Sequence, residues 1–113
     1  MSAGDLRIRA AFAASYDRLG PAEQLVFRRL ALVPGPDADA GLVAAAAGMP
    51  VAEVEDRLDE LVEAELVLSR PGRRTGLHDL VRLFAREQLR RQDSAAAIRD
   101  AGDRIARWPA VPR

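Results

Sequence analysis

The sequence predicts a mainly α winged-helix domain: a helix-turn-helix bundle with a short β-hairpin wing, followed by a C-terminal helix. Two observations carry this. Apolar residues recur at the three- and four-residue spacing of amphipathic helices over most of the chain, and that period is broken once by a turn-centred hairpin pattern around "RPGR". The resulting order of helix, helix, helix, tight turn, helix, hairpin, helix is that of a winged helix.

Each element follows from local signals. Ile8, Phe12, Ser15, Tyr16 and Leu19 mark a first helix from Asp5 to Leu19, with Asp5 as its N-cap. Gly20 breaks it, and Pro21 suits the first position of a second helix whose face is Leu25, Val26, Leu30 and Val33; "PGP" at 34–36 ends that helix. Asp39 can cap a short third helix through Ala47, which Gly48 ends in a left-handed conformation. Pro50 opens a fourth, with Val54, Leu58, Leu61, Val62 and Leu66 as its buried stripe. Ala44, four residues before Gly48, and Val54, six after it, have the small and apolar character that helix-turn-helix packing wants at those places. "LVLS" at 66–69 and "RTGLH" at 74–78 then flank Pro71 and Gly72, which fit the central positions of a type II turn. Leu80, Val81, Phe84 and Ala85 restart a helix that reaches about Arg91. Ile98, Ala101, Ile105 and Trp108 share one side of a last helix over 95–108. We divide the chain into a winged-helix domain, 1–92, and a C-terminal helical tail, 93–113.

Composition narrows the chemistry. At 113 residues the chain can bury roughly two-thirds of its unfolded surface as one domain. It has no cysteine and one histidine, so disulfides and thiol nucleophiles are excluded and a zinc site lacks ligands. All 17 basic residues are arginine; without lysine there is no phosphate loop of the G-x-x-x-x-G-K-[ST] type and no Schiff-base chemistry. No apolar run has membrane-spanning length, and nothing resembles a signal peptide, so the expected setting is the cytoplasm.

A helix-turn-helix invites a DNA-binding reading, but the charges oppose it. The fourth helix and its end carry Glu53, Glu55, Asp56, Asp59, Glu60, Glu63 and Glu65 against Arg57 alone, and carboxylates in a groove would repel phosphates. Positive charge gathers elsewhere. Arg70, Arg73 and Arg74 crowd the wing, and Arg82, Arg86 and Arg90 line the following helix at four-residue spacing. This is either a surface for anions or partners, or a solvated face, with Arg82 and Arg86 also able to pair with carboxylates of the fourth helix.

The single histidine stands in "GLHDLVR" at 76–82. None of Ser2, Ser15, Ser69, Ser94 and Thr75 sits in a recognisable nucleophile elbow, so a catalytic use has no support and the chain is expected not to be an enzyme. Asp79 is expected to cap its own helix. His78, just before a helix start, is placed either for a structural contact or to donate a hydrogen bond to an anion there.

The runs "SYDRLGPAEQLVFRRLALVPGPDAD", "LDELVEAELV" and "LHDLVRLFAREQLR" together resemble the winged-helix module of STAND nucleoside triphosphatases. The similarity is to the actinobacterial antibiotic-regulator type, SARP-like transcriptional regulators with an NB-ARC-like nucleotide-binding core, and covers residues 6–107. The resemblance implies that His78 contacts the β-phosphate of ADP held by a nucleotide-binding domain, in cis or in trans. It implies no cofactor for the chain on its own, ADP or ATP being reached only through that domain, and a helical-repeat domain as a second partner. The family's phosphate-loop lysine, Walker B acid and sensor residues have no counterpart here.

Two departures from the family pattern set further expectations. Thr75 and Gly76 stand where the family has a larger side chain, so the wing should be loose. The tail stops after "PAVPR", which implies a fragment, a split-off module or an excised piece, and leaves Ile98, Ile105 and Trp108 as an apolar docking stripe. The leading expectation is therefore a non-catalytic regulatory module that senses the ADP state of an associated domain. The alternative is a small DNA-binding regulator using the arginine-rich wing and the helix after it, and a third reading is a docking domain that self-associates through its tail.

Overall fold

A computed structural model describes residues 3–108, the side chain of Asp5 apart. The elements are α1 (Ala3–Asp17), α2 (Pro21–Leu30), β1 (Asp37–Asp39), α3 (Ala40–Ala47), α4 (Val51–Glu63), β2 (Leu68–Arg70), β3 (Arg74–Gly76), α5 (Asp79–Gln92) and α6 (Ala95–Ala106). The protein is mainly helical with a small three-stranded antiparallel sheet of order β1-β3-β2.

Helix α1 starts at Ala3, so Asp5 lies inside it and is not its N-cap. Pro21 does open α2, and the chain winds on through Val33 in tight turns, with Leu32 N–H donating to Arg29 O at 3.0 Å. Asp39 caps α3 by accepting from Leu42 N–H at 3.0 Å, and Gly48, at φ +69°, ends it. Helix α4 stops at Glu63 because Glu65 turns left-handed, at φ +62°, which brings Leu66 N–H to Leu61 O at 3.1 Å. No glycine marks that stop.

The core lies where α2 meets α3, α4 and α5, with Val26, Phe27, Val43, Val54 and Leu61 fully buried. Phe12 of α1, Tyr16, Phe27 and Phe84 form an aromatic cluster with ring centroids 5.6–6.0 Å apart. Tilted and edge-on pairs of this kind add about 0.5–1.5 kcal/mol each beyond the area they bury.

A charged network ties the two halves of the chain together. Asp93, with its side chain only 5% exposed, accepts from Arg28 Nε and Arg29 Nε, both at 3.0 Å. Arg28 also donates to Tyr16 Oη at 3.0 Å, and Arg29 to Ala46 O at 2.9 Å. Burial pulls the Arg28 pKa down, but the hydrogen bonds with Tyr16 and Asp93 outweigh it and leave the pKa raised.

Helix α6 folds back onto α3. Ala101 is fully buried, Ile98 and Ile105 pack against the core, and Trp108 covers Gly41, where a Cβ would come within 3.2 Å of the indole. Arg104 Nε donates to Ala45 O at 2.7 Å, satisfying a carbonyl left open at the C-terminus of α3. The expected docking stripe of Ile98, Ile105 and Trp108 thus packs within the chain, with the small residues of α3 as its partner.

Candidate functional site

The region around His78 is built by the sheet. β3 is its central strand: Gly76 stands opposite Asp37 on β1 and Leu68 on β2, and Arg74 stands opposite Asp39 and Arg70. The sequence shows the hairpin but hides β1, since "DAD" is polar and only three residues long. Between the paired ends of the hairpin, Gly72 has φ +78° and Arg73 φ +60°, so the turn holds two left-handed residues.

Gly76, expected to leave the strand without packing, is closely covered. It is buried, and a Cβ built on it would lie 2.6 Å from Pro36 O, closer than real Cβ contacts come. Glycine is there because the backbone before β1 closes over the strand. Thr75 Oγ1 lies 3.5 Å from Ala38 O of the neighbouring strand β1.

His78 itself is the N-cap of α5, with extended backbone (φ −61°, ψ 150°) and its Nδ1 accepting from Leu80 N–H at 3.4 Å. This corrects the assignment of Asp79 as cap. Asp79 is the first helical residue, where its carboxylate faces the positive end of the helix. An imidazole that accepts at Nδ1 carries its proton on Nε2 in the neutral form. His78 is exposed, so Nε2–H is a donor available at the surface.

His78 lines a cleft of about 290 Å³ with Gly35, Pro36, Arg70, Asp79 and Arg82 among its walls. Arg82 does not reach α4. Its guanidinium donates to Val33 O at 3.4 Å and Gly35 O at 3.3 Å, closing the loop after α2 against α5. Its charge still borders the cleft, and with Arg70 it exceeds the single opposing charge of Asp79.

The other arginines separate into two groups. Arg74 is paired with Asp37 across the sheet and donates to Asp37 O at 3.1 Å; the Asp37 hydrogen bond raises its pKa against a smaller opposing effect of desolvation. Arg70, Arg73, Arg86 and Arg90 are exposed and make no ion pair among the described residues. On α4, Glu53, Glu55, Asp56, Asp59, Glu60 and Glu63 are all exposed. Arg57 alone is engaged with acids there, its Nη2 2.7 Å from Glu60 and its Nε 2.9 Å from Glu23 without the angle of a hydrogen bond.

Among the described residues no group of three metal-ligating side chains could hold a metal ion, and no helix is long and apolar enough to cross a membrane. What sequence reasoning missed is Asp93 with Arg28 and Arg29. Two adjacent arginines and an aspartate 64 residues away carry no periodic signal, and only the "QDS" helix stop, where Ser94 caps α6 by accepting from Ala97 N–H at 3.0 Å, hints that the junction is structured.

Comparison with known proteins finds similarity to two regulators. The chain is 38% identical over 104 residues to Regulatory protein AfsR of Streptomyces coelicolor, covering 89% of this chain and 10% of that protein. It is 38% identical over 100 residues to Regulatory protein AfsR of Streptomyces griseus, covering 88% of this chain and 10% of that one. The chain spans about a tenth of the length of these curated relatives. No family model and no solved structure matches it.

Proposed function

We propose that this chain is a non-catalytic winged-helix module of a transcriptional regulator of the STAND type, which senses the ADP state of an associated nucleotide-binding domain. The observation that carries the reading is His78. Its Nδ1 accepts from the helix it caps, which leaves Nε2–H as the remaining donor of an exposed ring that lines one cleft with Arg70 and Arg82 at the positive end of α5. A terminal phosphate presented by a neighbouring domain would meet one ring donor and a local excess of positive charge. The likeness to regulatory proteins far longer than this chain supports a module that works with other domains. Such a module acts in the cytoplasm, with the nucleotide-binding domain and a helical-repeat domain as partners. It takes no nucleotide alone, because one donor in a 290 Å³ cleft cannot enclose one.

The test is ADP release from a longer protein that joins this segment to its nucleotide-binding domain. His78→Ala should speed release by about tenfold or more, the worth of one charge-assisted hydrogen bond. His78→Asp, which keeps an N-cap acceptor but turns a carboxylate to the phosphate, should speed release at least as much while leaving the melting temperature unchanged. ADP retention unchanged in both variants would overturn the reading.

One observation favours a second reading, a DNA-binding regulator: Arg70 and Arg73 stand exposed on the wing, and Arg86 and Arg90 on α5. It predicts sequence-selective retention of duplex DNA that survives moderate salt. Weak retention that disappears with salt would reflect the arginines alone.

A further inference from the structure

On the side of the molecule formed by α1 and α5 lies an open groove of about 550 Å³. Its floor is apolar: Leu6, Ala10 and Ala13 of α1 face Phe84 of α5. Leu6 is 57% exposed, and Leu83, on the outer face of α5, is 47% exposed; together with Ile8 they make α1 and α5 the site of most of the large exposed apolar side chains. The alanines let another backbone approach closely, as helix crossings require. The rim is basic. Arg9 is paired with Glu87 across the groove, whereas Arg90 and Arg91 are exposed and have no acidic partner among the described residues.

We propose that this groove docks an acidic amphipathic helix of a partner segment, its apolar stripe over Leu6, Ala10, Ala13 and Phe84 and its carboxylates against Arg90 and Arg91. Charge selects the occupant. A second copy of the same face would set Arg90 and Arg91 against like charges, and a basic helix would meet the same repulsion. The two alanines and the length of α1 suit a helix laid in a groove better than an extended strand, which would need an open sheet edge. This site is separate from His78 and does not depend on the nucleotide reading.

The probe is a fluorescent, amidated synthetic peptide with the sequence 51–66 of this chain, which is itself an acidic amphipathic helix, titrated against the whole 113-residue chain at low salt. The dissociation constant should lie below about 100 μM, and added salt should weaken it. Leu6→Asp and the double variant Arg90→Glu/Arg91→Glu should each weaken binding at least tenfold, while Arg73→Glu on the wing should not. A peptide with its acids replaced by lysine should fail to bind. Because Leu6 and both arginines are exposed, the variants should melt with the parent chain, which circular dichroism checks. No binding at about 1 mM peptide, or binding indifferent to these substitutions, would overturn the proposal. So would a dimer in sedimentation that Leu6→Asp dissociates, since the occupant would then be a second copy.

Discussion

Replacing Asp93 with alanine removes the acid that two arginines share. Its side chain is 5% exposed, and those of Arg28 and Arg29 are 12% and 10% exposed, so the cations left behind stay largely out of water. Breaking a buried pair costs about 3–5 kcal/mol, chiefly through the uncompensated charge. Here the arginines keep other partners, Arg28 on Tyr16 Oη at 3.0 Å and Arg29 on Ala46 O at 2.9 Å. The lower end, about 3 kcal/mol, is therefore expected. In a domain of this size that lowers Tm by roughly 10–25 °C. Asp93→Asn keeps one acceptor oxygen and should cost about half as much, near 1–2 kcal/mol. Urea unfolding followed by circular dichroism measures both, with an unchanged m-value as the sign that the unfolded state is unaffected. A loss below about 1 kcal/mol for the alanine variant, the worth of an exposed pair, would refute the view that this network clamps α2 to the α5–α6 junction.

Three further substitutions probe the frame of the site. Gly76→Ala places a methyl group against Pro36 O, so β1 or β3 must shift; it should destabilise by about 1–3 kcal/mol and speed amide exchange in the β2–β3 hairpin. Asp39→Ala removes the acceptor for Leu42 N–H and should cost about 1 kcal/mol in thermal melts, without altering the β2–β3 hairpin. Ala101→Glu puts a carboxylate at a fully buried position between α6 and α3 and should cost about 3 kcal/mol or more; a silent variant would mean that α6 is undocked in solution.

Helices were the legible part of this chain, and the reason is length. A stretch such as 51–63 shows its buried stripe three times over, so Val54, Leu58 and Leu61 are found in the core as their spacing predicts. The cap and stop of α3 were legible for a different reason, because Asp39 and Gly48 each supply a backbone need few other residues meet. Strand β1 was not, since three residues reading Asp-Ala-Asp show no alternation beyond one buried alanine. Nor was the N-cap of α5. Rules for caps favour aspartate over histidine, and here the extended backbone falls one residue earlier, so the imidazole takes the place a carboxylate would have filled. The fate of Ile98, Ile105 and Trp108 depended on a long-range contact with α3, whose small residues let α6 pack closely against it.

That shift of one residue at α5 bears directly on the site. Had Asp79 been the cap, the His78 ring would have been released from the helix, and either nitrogen could have carried its proton. With His78 as the cap, the helix end uses one nitrogen and orients the other. The bond at 3.4 Å is long, so it guides the ring without contributing much stability, and the surface donor can be substituted at little cost to the fold. Arg82 contributes in the same indirect way. Bound to Val33 O and Gly35 O, it fixes one wall of the cleft and leaves Arg70 as the lining cation without a partner among the described residues. Gly76 completes the arrangement, because only a residue without a side chain lets the segment before β1 close over the sheet and form the far side of the cleft. A donor, a cation and a wall supplied by three separate elements therefore converge on one small cleft at the helix end. The carboxylates of α4, which would oppose an anion, are not among the residues that line it.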